Sequence, residues 1–563
     1  MKKLIPVIIA LGLITAVVYY VFYPEYQERY EYSDERADLM QFFALTDETE
    51  VAIILHDEVI PEKARLWNGT YYFDLATVYK YFNTRFHVDE REGLLLYSLP
   101  DFTDRTEIGT AVVTTKDGDV IRAYSVSRYE GDTLYLAVDF VKEYTHFSYQ
   151  AFRNPGRMQV YTEWGDIEVA RVNRDTAVRH RGGVKSEVLT DIKRDSKLII
   201  LEMMETWAKV KTEDAFIGYV EIRRLGNSYV ERLVPPTDYQ EPYFASQTRE
   251  HKISMGWHYV AGLAGNDTIH EVTRHVDGMN VISPTWFKLT DNEGNFSSFA
   301  SSSYIRTARG MGMEVWALIE NITNDIDMFE LLSSTSKREY LIENLIAVVL
   351  EYDIDGINVD FEDLRPDTGP HFVQFIRELS IPCREHGLVL SVDNYVPYSF
   401  NEFYNRAEQG VFADYVVIMG YDEHYRGSTT AGSVASINFV EHGIKATVAQ
   451  VPAHKVINGV PFYTRIWETK GAAVTSQAVG MELAWQWVAN RNLTPVWDEE
   501  TCQFYTEHTN SEGGFHQVWL EDSESLRVRL NVMDANEVGG VAFWQLGQET
   551  ADVWEVVREY LDW

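Results

Sequence analysis

Residues 352–362, YDIDGINVDFE, decide the fold. The apolar residues of this stretch indicate a buried β-strand, in which alternate side chains share one face. Asn358, Asp360 and Glu362 therefore point to one side, and the apolar residues between them point to the other. Two carboxylates and an amide on one buried face cost free energy unless they have hydrogen-bond or ionic partners or serve a functional site. The alternative to a functional site is a salt-bridged strand end.

The residues before this strand predict a helix. Ser336–Glu339 has the pattern of a capping box, and apolar residues then recur at helical spacing. Asp355 and Gly356 form a tight turn between the helix and the strand. A helix, a short turn and a strand ending in acids make one unit of a (β/α) barrel, whose catalytic groups lie at the carboxyl ends of its strands.

Seven further apolar segments alternate with helical patterns across residues 251–563, which predicts an α/β fold with a (β/α)8 barrel. We expect a small α+β insertion at residues 467–537, between the last two strands. The other predicted strands are 253–257, 281–286, 314–318, 389–393, 415–419, 457–462 and 540–544.

The pattern Asp-Gly-x-Asn-x-Asp-x-Glu at residues 355–362 resembles the signature of glycoside hydrolase family 18, the chitinase-like enzymes. That signature usually has Asp where this chain has Asn358. The Asn form is similar to the branch of peptidoglycan and spore-cortex N-acetylglucosaminidases. The resemblance implies that Glu362 is the general acid/base and that Asp360 orients the acetamido group of the substrate. In this family the acetamido oxygen itself attacks the anomeric carbon.

Asn358 has a further expected effect, because it carries no charge beside Asp360. Its amide is expected to donate a hydrogen bond toward Asp360, which would favour the ionised carboxylate. We therefore expect Asp360 to have a lower pKa than in an arrangement with two neighbouring aspartates.

The segment Met419-Gly420-Tyr421-Asp422 is similar to the Met-x-Tyr-Asp motif of the same family, at the end of the predicted sixth strand. The resemblance implies that Met419 and Asp422 contact the sugars. It also implies that Tyr421 donates its hydroxyl to the acetamido oxygen. Trp544, at the end of the eighth strand, matches the tryptophan beneath the reacting sugar, with barrel core as the alternative.

Four weaker candidates for substrate binding follow other strands. Residues 459–465 are similar to the seventh-strand motif of the family, which makes Tyr463 and Arg465 candidates for the cleft. Trp257 and Trp286 lie near strand ends, where they are expected to line sugar subsites or to belong to the core.

Bulk composition excludes several classes of partner. The chain has 563 residues and a formal net charge of −36, which disfavours nucleic acid as a ligand. Its two cysteines, Cys383 and Cys502, provide neither a disulfide framework nor a metal-ligand cluster. We expect no metal and no cofactor.

The amino terminus predicts export. Lys2 and Lys3 precede an apolar run, and the pattern over residues 1–24 favours an uncleaved membrane anchor. A cleaved signal peptide is the alternative, although no small-x-small cleavage site follows. We expect a short spacer at 25–49 and an extracellular catalytic domain.

Two smaller domains are predicted between the spacer and the barrel. Residues 50–165 resemble the α+β stalk domain at the amino terminus of copper amine oxidases, although no copper ligands are visible. Residues 166–230 resemble a bacterial SH3-like domain, a small all-β barrel that in its family often binds cell-wall peptides. A linker is expected at 231–250.

The sequence therefore predicts a retaining glycosidase that cleaves β-linked N-acetylglucosamine polymers. Peptidoglycan is the expected substrate, and chitin or a chito-oligosaccharide is the second choice. A catalytically silent sugar-binding barrel is the alternative from another class of protein, but the presence of Glu362 argues against it.

Overall fold

The computed structural model describes residues 5–23 and 29–561. The chain divides into two compact units. The amino-terminal unit comprises residues 1–86, 106–113 and 120–241, and the barrel unit comprises residues 87–105, 114–119 and 242–563.

Parallel strands close into an eight-stranded barrel in the described part of the barrel unit. Each strand pairs with its neighbours in chain order, and the first strand also pairs with the last, so that no edge remains. The predicted (β/α)8 fold is confirmed. The strands are β1 (Ile253–His258), β2 (Val281–Pro284), β3 (Glu314–Glu320), β4 (Gly356–Asp360), β5 (Val389–Tyr395), β6 (Tyr415–Met419), β7 (Val456–Pro461) and β8 (Gly540–Trp544).

A helix follows each barrel strand, and a large apolar core lies between the strands and the helices. A short helix at Met328–Leu332 and the short strands Phe287–Leu289 and Phe296–Ser298 are added around β2 and β3. The barrel helices are α1 (Ile269–Val272), α2 (Ser302–Gly310), α3 (Thr335–Tyr352), α4 (Gly369–His386), α5 (Arg406–Phe412), α6 (Ile437–Val448), α7 (Ser523–Ala535) and α8 (Val553–Leu561).

The helix α3 delivers the chain to β4. Its N-cap is Ser334, whose hydroxyl accepts a hydrogen bond from the backbone N–H of Lys337, so the cap lies two residues before the predicted Ser336. The helix ends at Asp353, which adopts a left-handed conformation with φ 58°. This tight ending turns the chain directly into β4.

The insertion between β7 and β8 is a five-stranded antiparallel sheet with one helix, Met481–Ala489. It occupies residues 463–520, whereas the sequence predicted 467–537. The difference arises because residues 523–535 form α7, which belongs to the barrel. The strands of the insertion are Tyr463–Lys470, Ala473–Gly480, Val496–Asp498, Gln503–Thr509 and Phe515–Leu520.

A segment far from the barrel in sequence belongs to the barrel unit. We call residues 87–105 the arm; it contains the strands His87–Asp89 and Leu94–Ser98. Asp89 accepts hydrogen bonds from the backbone N–H and the hydroxyl of Thr335, both at 2.6 Å, at the start of α3. Ser98 accepts a hydrogen bond from Gln374 on α4 at 3.0 Å. The domain predicted at 50–165 is therefore not one compact unit.

The amino-terminal unit contains two seven-stranded sheets. In the first, Thr70–Asp74 leads into the helix Leu75–Tyr81, and Thr133–Ala137 leads into the helix Val138–Glu143. The resemblances to a stalk domain and to an SH3-like domain stay predictions. The other strands of the first sheet are Glu50–Leu55, Glu58–Trp67, Ser127–Glu130, Ser148–Phe152 and Arg157–Tyr161. The second sheet contains Asp166–Arg171, Thr176–Arg179, Val188–Ile192, Lys197–Met203, Trp207–Thr212, Ile217–Glu221 and Tyr229–Arg232.

The residues before these sheets differ in part from the prediction. The apolar run forms an α-helix over Ile5–Val17 and a π-helical turn over Val18–Phe22, while Lys2 and Lys3 lie outside the described residues. Within the described chain, we find no helix with the length and apolarity needed to cross a membrane. In the segment predicted as a spacer, 25–49, residues 25–28 are not described, but Phe43 and Leu45 are buried in the core of the second sheet.

Candidate active site

The carboxyl ends of the barrel strands surround a cavity of about 160 Å³. The strand β4 sends Asp360 into this cavity, and Glu362 follows just beyond the strand end. Most residues of the lining come from the ends of different strands, as expected for the catalytic mouth of such a barrel. The cavity is lined by Trp257, Ile322, Asp360, Glu362, Asp393, Tyr395, Met419, Tyr421, Asp422 and Trp544.

Asp360 is a buried carboxylate without a hydrogen-bond donor among the described residues for one of its oxygens, Oδ1. Burial raises the pKa of Asp360 well above its usual range, and the nearby carboxylates Glu362, Asp393 and Glu320 raise it further. The expectation that this pKa is lower than in an arrangement with two neighbouring aspartates stays a prediction. A carboxylate oxygen in this state can accept a hydrogen bond from a bound molecule.

Glu362 is fixed through both its backbone and its side chain. The amide of Asn321 accepts from the Glu362 backbone N–H at 2.8 Å and donates to its carbonyl oxygen at 2.9 Å. The Tyr395 hydroxyl donates to Glu362 Oε2 at 2.6 Å. Burial raises the pKa of Glu362, and the Tyr395 hydrogen bond opposes that shift. A carboxyl group with a raised pKa is suited to donate a proton.

A second cavity, of about 290 Å³, begins on the other side of Glu362. Its wall includes Asn321, Ile322 and Asp363, and it shares Glu362 and Ile322 with the first cavity. The candidate acid therefore lies between two spaces. A general acid that protonates a bond between two sugars must lie in such a place.

Tyr421 and Asp422 end β6 and face the same cavity as Asp360. Burial raises the pKa of the Tyr421 hydroxyl well above its usual range, so this group remains a hydrogen-bond donor at neutral pH. The Tyr463 hydroxyl donates to Asp422 Oδ1 at 2.5 Å. Tyr463 therefore contributes through Asp422, and it is absent from the cavity lining.

Two tryptophans provide the apolar part of the lining. Trp257 and Trp544 pack edge to face, with ring centroids 6.0 Å apart, and Trp257 packs against Tyr421 in the same way at 6.4 Å. The flat apolar face of a tryptophan suits the apolar face of a sugar ring.

Asn358 lies beneath the cavity and is fully buried. Its Oδ1 accepts hydrogen bonds from Trp257 Nε1 at 2.9 Å and from the Ser283 hydroxyl at 3.2 Å. Its Nδ2 donates to Asp393 Oδ1 at 2.7 Å and to the Ser391 hydroxyl at 3.1 Å. The expected hydrogen bond to Asp360 is therefore absent, and the amide has no contact left for a substrate.

The structure does not bring Trp286 and Arg465 to the cavity. Trp286 is fully buried in the core, where its Nε1 donates to Asn266 at 2.8 Å. Arg465 lies on the first strand of the insertion and donates to Ser476. Trp286 follows β2, but its ring points to the helix layer rather than into the barrel, and Tyr304 of α2 packs against it.

The chemistry of this site rests on carboxyl and hydroxyl groups. Among the residues that the structure describes, no three His, Cys, Asp or Glu side chains are arranged to hold a metal ion. The arrangement offers a proton donor, a buried hydrogen-bond acceptor and a hydroxyl donor above an aromatic surface.

The sequence profile of the glycosyl hydrolases of family 18 matches residues 268–549, which contain every residue that lines the cavity except Trp257. The chain belongs to this family. It is a family 18 glycosyl hydrolase, as its Asp-Gly-x-Asn-x-Asp-x-Glu pattern predicted.

Two curated relatives of this family 18 chain are proteins of Bacillus subtilis (strain 168). The uncharacterized glycosylase YvbX of Bacillus subtilis (strain 168) is 24% identical over 304 residues, which are 52% of this chain and 87% of that protein. The cortical fragment-lytic enzyme of the same organism is 26% identical over 255 residues, 43% of this chain and 59% of that protein. The chain thus spans little more than half the length of the second relative.

Solved structures show the same fold. The Bacillus cereus spore cortex-lytic enzyme SleL superposes with a TM-score of 0.50 at 21% identity, covering 57% of this chain and 77% of that chain. A chitinase from Chromobacterium violaceum ATCC 12472 has a TM-score of 0.50 at 22% identity, covering 55% of this chain and 99% of that chain.

Three functional candidates of this family 18 site were missed from the sequence. Asp393 was identified only as part of a strand, and Glu320 and Asn321 were not singled out. Their relation to Asp360 and Glu362 depends on the pairing of neighbouring strands. Their signal was a polar residue at the end of an apolar strand, the same signal that identified Glu362.

Proposed function

We propose that this chain cleaves β-linked N-acetylglucosamine polymers with retention, by substrate-assisted catalysis. The observation that carries this proposal is Asp360, which lines the cavity and whose buried Oδ1 has no donor within the described protein. The N–H of a 2-acetamido group is a donor of the required kind. When this N–H binds Asp360, the acetamido oxygen is directed toward the anomeric carbon.

The proposed reaction uses three side chains in turn. Protonated Glu362 donates its proton to the glycosidic oxygen, while the acetamido oxygen attacks the anomeric carbon and the glycosidic bond breaks. Asp360 accepts the N–H of the cyclising group, and Tyr421 donates its hydroxyl to the acetamido oxygen. Glu362, now ionised, then takes a proton from water, which opens the ring intermediate from the opposite face. The product keeps the configuration of the substrate.

We propose peptidoglycan as the polymer. The support is Asn358 in the family pattern together with the relatives named as cortical fragment-lytic enzymes. The second cavity, beyond Glu362, provides space for the sugar that leaves. Chitin, whose sugars are all N-acetylglucosamine, is the competing substrate.

The assignment of Glu362 is tested with Glu362→Gln, which keeps the shape and removes the proton. We expect the rate of polymer cleavage to fall by at least ~10²–10⁴-fold, the usual contribution of a general acid. Glu351→Gln, the same change at the exposed end of α3, is the matched control and should cleave at the wild-type rate. Activity of Glu362→Gln within about threefold of wild type would exclude Glu362 as the acid.

The substrate and mechanism are tested with the full chain on purified peptidoglycan and on chito-oligosaccharides. We expect faster release of reducing sugar from peptidoglycan, and NMR of the first product should show the β-anomer. A thiazoline that mimics the cyclised acetamido group should inhibit competitively. A sugar trapped covalently on a carboxylate would disprove substrate assistance, and faster cleavage of chitin would make chitin the substrate.

We further propose that the chain is exported, held at the cell membrane by its amino terminus, and directed to cell-wall peptides by residues 166–230. The support is Lys2 and Lys3 before the apolar run, and the resemblance of residues 166–230 to SH3-like domains. Amino-terminal sequencing of the mature protein tests the first part, since a new terminus near residue 24 would show a cleaved signal. Binding of residues 166–230 to purified wall peptides tests the second.

A further inference from the structure

A row of charged side chains crosses four neighbouring strands at the level of Asp360. Lys288 pairs with Glu320 of β3, and Glu320 pairs with Asp360 of β4. Val359 of β4 pairs with Val392 of β5, so that the next residues, Asp360 and Asp393, also lie side by side. Paired residues on neighbouring parallel strands point to the same face, and such strands are about 4.8 Å apart. Asp360 therefore has a carboxylate on each side.

The two neighbours of Asp360 differ in how they are stabilised. Glu320 accepts hydrogen bonds from the backbone N–H groups of Ile322 and Thr323, at 2.5 and 2.8 Å, and Lys288 lies 4.0 Å away. The Glu320 carboxylate therefore has its own hydrogen-bond donors and a nearby lysine. Asp393 has the Asn358 amide on its Oδ1 at 2.7 Å and faces the cavity together with Asp360.

Two adjacent buried carboxylates do not both remain ionised without donors for each. Asp360 and Asp393 are 7% and 2% exposed, and the described protein offers no donor to Oδ1 of Asp360. One proton held between the two groups removes this repulsion. Because the oxygens of Glu320 already accept hydrogen bonds from Ile322 and Thr323, Asp393 is the neighbour with which Asp360 can share that proton.

We propose that Asp393 is a positioning residue that shares one proton with Asp360 and takes this proton when the substrate binds. The proposal rests on the proposed function, in which ionised Asp360 accepts the acetamido N–H. Before binding, the proton lies on Asp360 and hydrogen-bonds to ionised Asp393. On binding, it moves along that hydrogen bond to Asp393, Asp360 becomes the anion that holds the N–H, and the pair keeps a charge of −1.

Asn358 has a defined part in this arrangement. Its Oδ1 is occupied by Trp257 and Ser283, so its Nδ2 is directed to Asp393. The amide therefore orients the proton acceptor and is not itself a member of the pair. The second carboxylate of the site comes from β5 rather than from β4.

Burial raises the pKa of both Asp360 and Asp393 well above their usual range, which agrees with a proton held between them. In Asp393 the Asn358 hydrogen bond opposes this shift. The charged and titratable groups around the pair come from four sides of the cavity. They are Lys288 and Glu320 from the β3 side, Glu362 from the end of β4, Tyr395 from β5, Tyr421 and Asp422 from the end of β6, and, behind Asp422, Tyr463 from the start of the insertion.

Asp393→Asn tests the proposal, because it keeps the size of the side chain and removes the proton acceptor. Asp360 can then ionise only by releasing its proton to water, in a buried site beside Glu320 and Glu362. We expect the acidic limb of the kcat/KM profile to move to higher pH by at least ~1 unit. Asp367→Asn, an exposed aspartate in the loop after β4, is the control and should leave the profile unchanged.

The double variant Asn358→Asp/Asp393→Asn returns a carboxylate to β4 beside Asp360. The carboxylate at position 358 still accepts the hydrogen bonds from Trp257 and Ser283. It also accepts a hydrogen bond from the new amide at position 393, whereas in wild type the Asn358 amide donates to Asp393. We expect the acidic limb to return to within about 0.5 unit of wild type. An unchanged limb in Asp393→Asn, an equal loss of rate at every pH, or a limb that stays high in the double variant would overturn the proposal.

A second measurement does not depend on the folding of Asp393→Asn. Infrared difference spectra of Glu362→Gln with and without the thiazoline mimic report the protonated carboxyl group of the pair. We expect its C=O band to shift and to keep its intensity, whereas loss of the band would overturn the proposal.

If wild type cleaves neither polymer, the proposed function fails, and this failure is seen before any pH profile is compared.

Discussion

At the scale of single residues, the hydroxyl of Tyr395 controls the proton of Glu362. It donates to Glu362 Oε2 at 2.6 Å and thereby opposes the rise of the Glu362 pKa that burial causes. Tyr395→Phe removes a donor to the ionised form, so the pKa of Glu362 should rise further. In the proposed mechanism Glu362 is the acid and must be protonated, so the basic limb of the kcat/KM profile should move to higher pH. We nevertheless expect kcat/KM at neutral pH to fall about tenfold, because Glu362 becomes ionised as it gives up its proton and then lacks this hydrogen bond. A hydrogen bond to a charged group is worth ~1.5–3 kcal/mol, and water replaces part of it.

Tyr243→Phe, at a highly exposed tyrosine of the barrel unit, is the control for this prediction and should leave the profile as in wild type. A basic limb that moves to lower pH in Tyr395→Phe would show that the hydroxyl stabilises the protonated acid instead.

Some site residues could be predicted from the sequence, because their relation is local. Asp360 and Glu362 lie two residues apart on one strand, and the twofold period of a strand places them on one face without any knowledge of the rest. Asp393 and Asn321 could not be assigned in this way, since their neighbours are fixed by the pairing of β3, β4 and β5. The prediction that the Asn358 amide donates a hydrogen bond to Asp360 was wrong for the same reason. Trp257 and Ser283, from two other strands, donate to the Asn358 oxygen and so fix the orientation of its NH2 group.

At the scale of secondary structure, the start of α3 depends on the arm. Asp89 is fully buried and accepts from both the backbone N–H and the hydroxyl of Thr335. Its negative charge also lies at the positive end of the α3 dipole. Asp89→Ala leaves these donors without a partner, and we expect the free energy of unfolding to fall by about 1–3 kcal/mol. Urea denaturation of the full chain measures this change.

Asp101→Ala provides the control on the same arm. Asp101 is exposed and pairs with the exposed Lys116, so its loss should change the free energy of unfolding by less than about 0.5 kcal/mol. If both variants lower the free energy of unfolding by the same amount, the hydrogen bonds from Thr335 to Asp89 do not stabilise the fold more than an exposed ion pair does.

The order and type of the barrel elements could be predicted, but their ends were less certain. All eight barrel strands occur where apolar runs indicated them, because strands buried on both faces are continuously apolar. The end of the insertion was placed too late, at residue 537, because α7 is amphipathic like the helix of an α+β insertion. Only its packing against the barrel core, through Leu526 and Leu530, distinguishes it.

At the scale of the whole molecule, the barrel unit is not continuous in sequence. Residues 87–105 and 114–119 belong to it although residues 120–241 separate them from the barrel. A fragment of residues 242–563 therefore lacks the acceptors for the first turn of α3 and a partner for α4. We expect its Tm to be at least ~5 °C below that of a fragment in which residues 86–120 are joined to it through a flexible linker. Calorimetry of the two fragments makes the comparison.

The linked fragment is the control for loss of chain length as such. Equal Tm values for the two fragments would show that the arm contributes nothing to the stability of the barrel, and the boundary at residue 242 would then be a true domain boundary.

The long sequence separation of the arm also has a kinetic consequence. Asp89 and Thr335 are 246 positions apart, so the bond between them forms only after most of the chain has been synthesised. Contacts of such separation carry a large loop-closure entropy and slow the folding of a chain. The arm leaves the ribosome early but must wait for the helices that it caps. The strands of the arm pair with each other early, but until α3 and α4 are made the carboxylate of Asp89 stays hydrated and the face of the arm that later packs on these helices stays uncovered. A chaperone that binds incompletely packed segments would therefore find its target in residues 87–105.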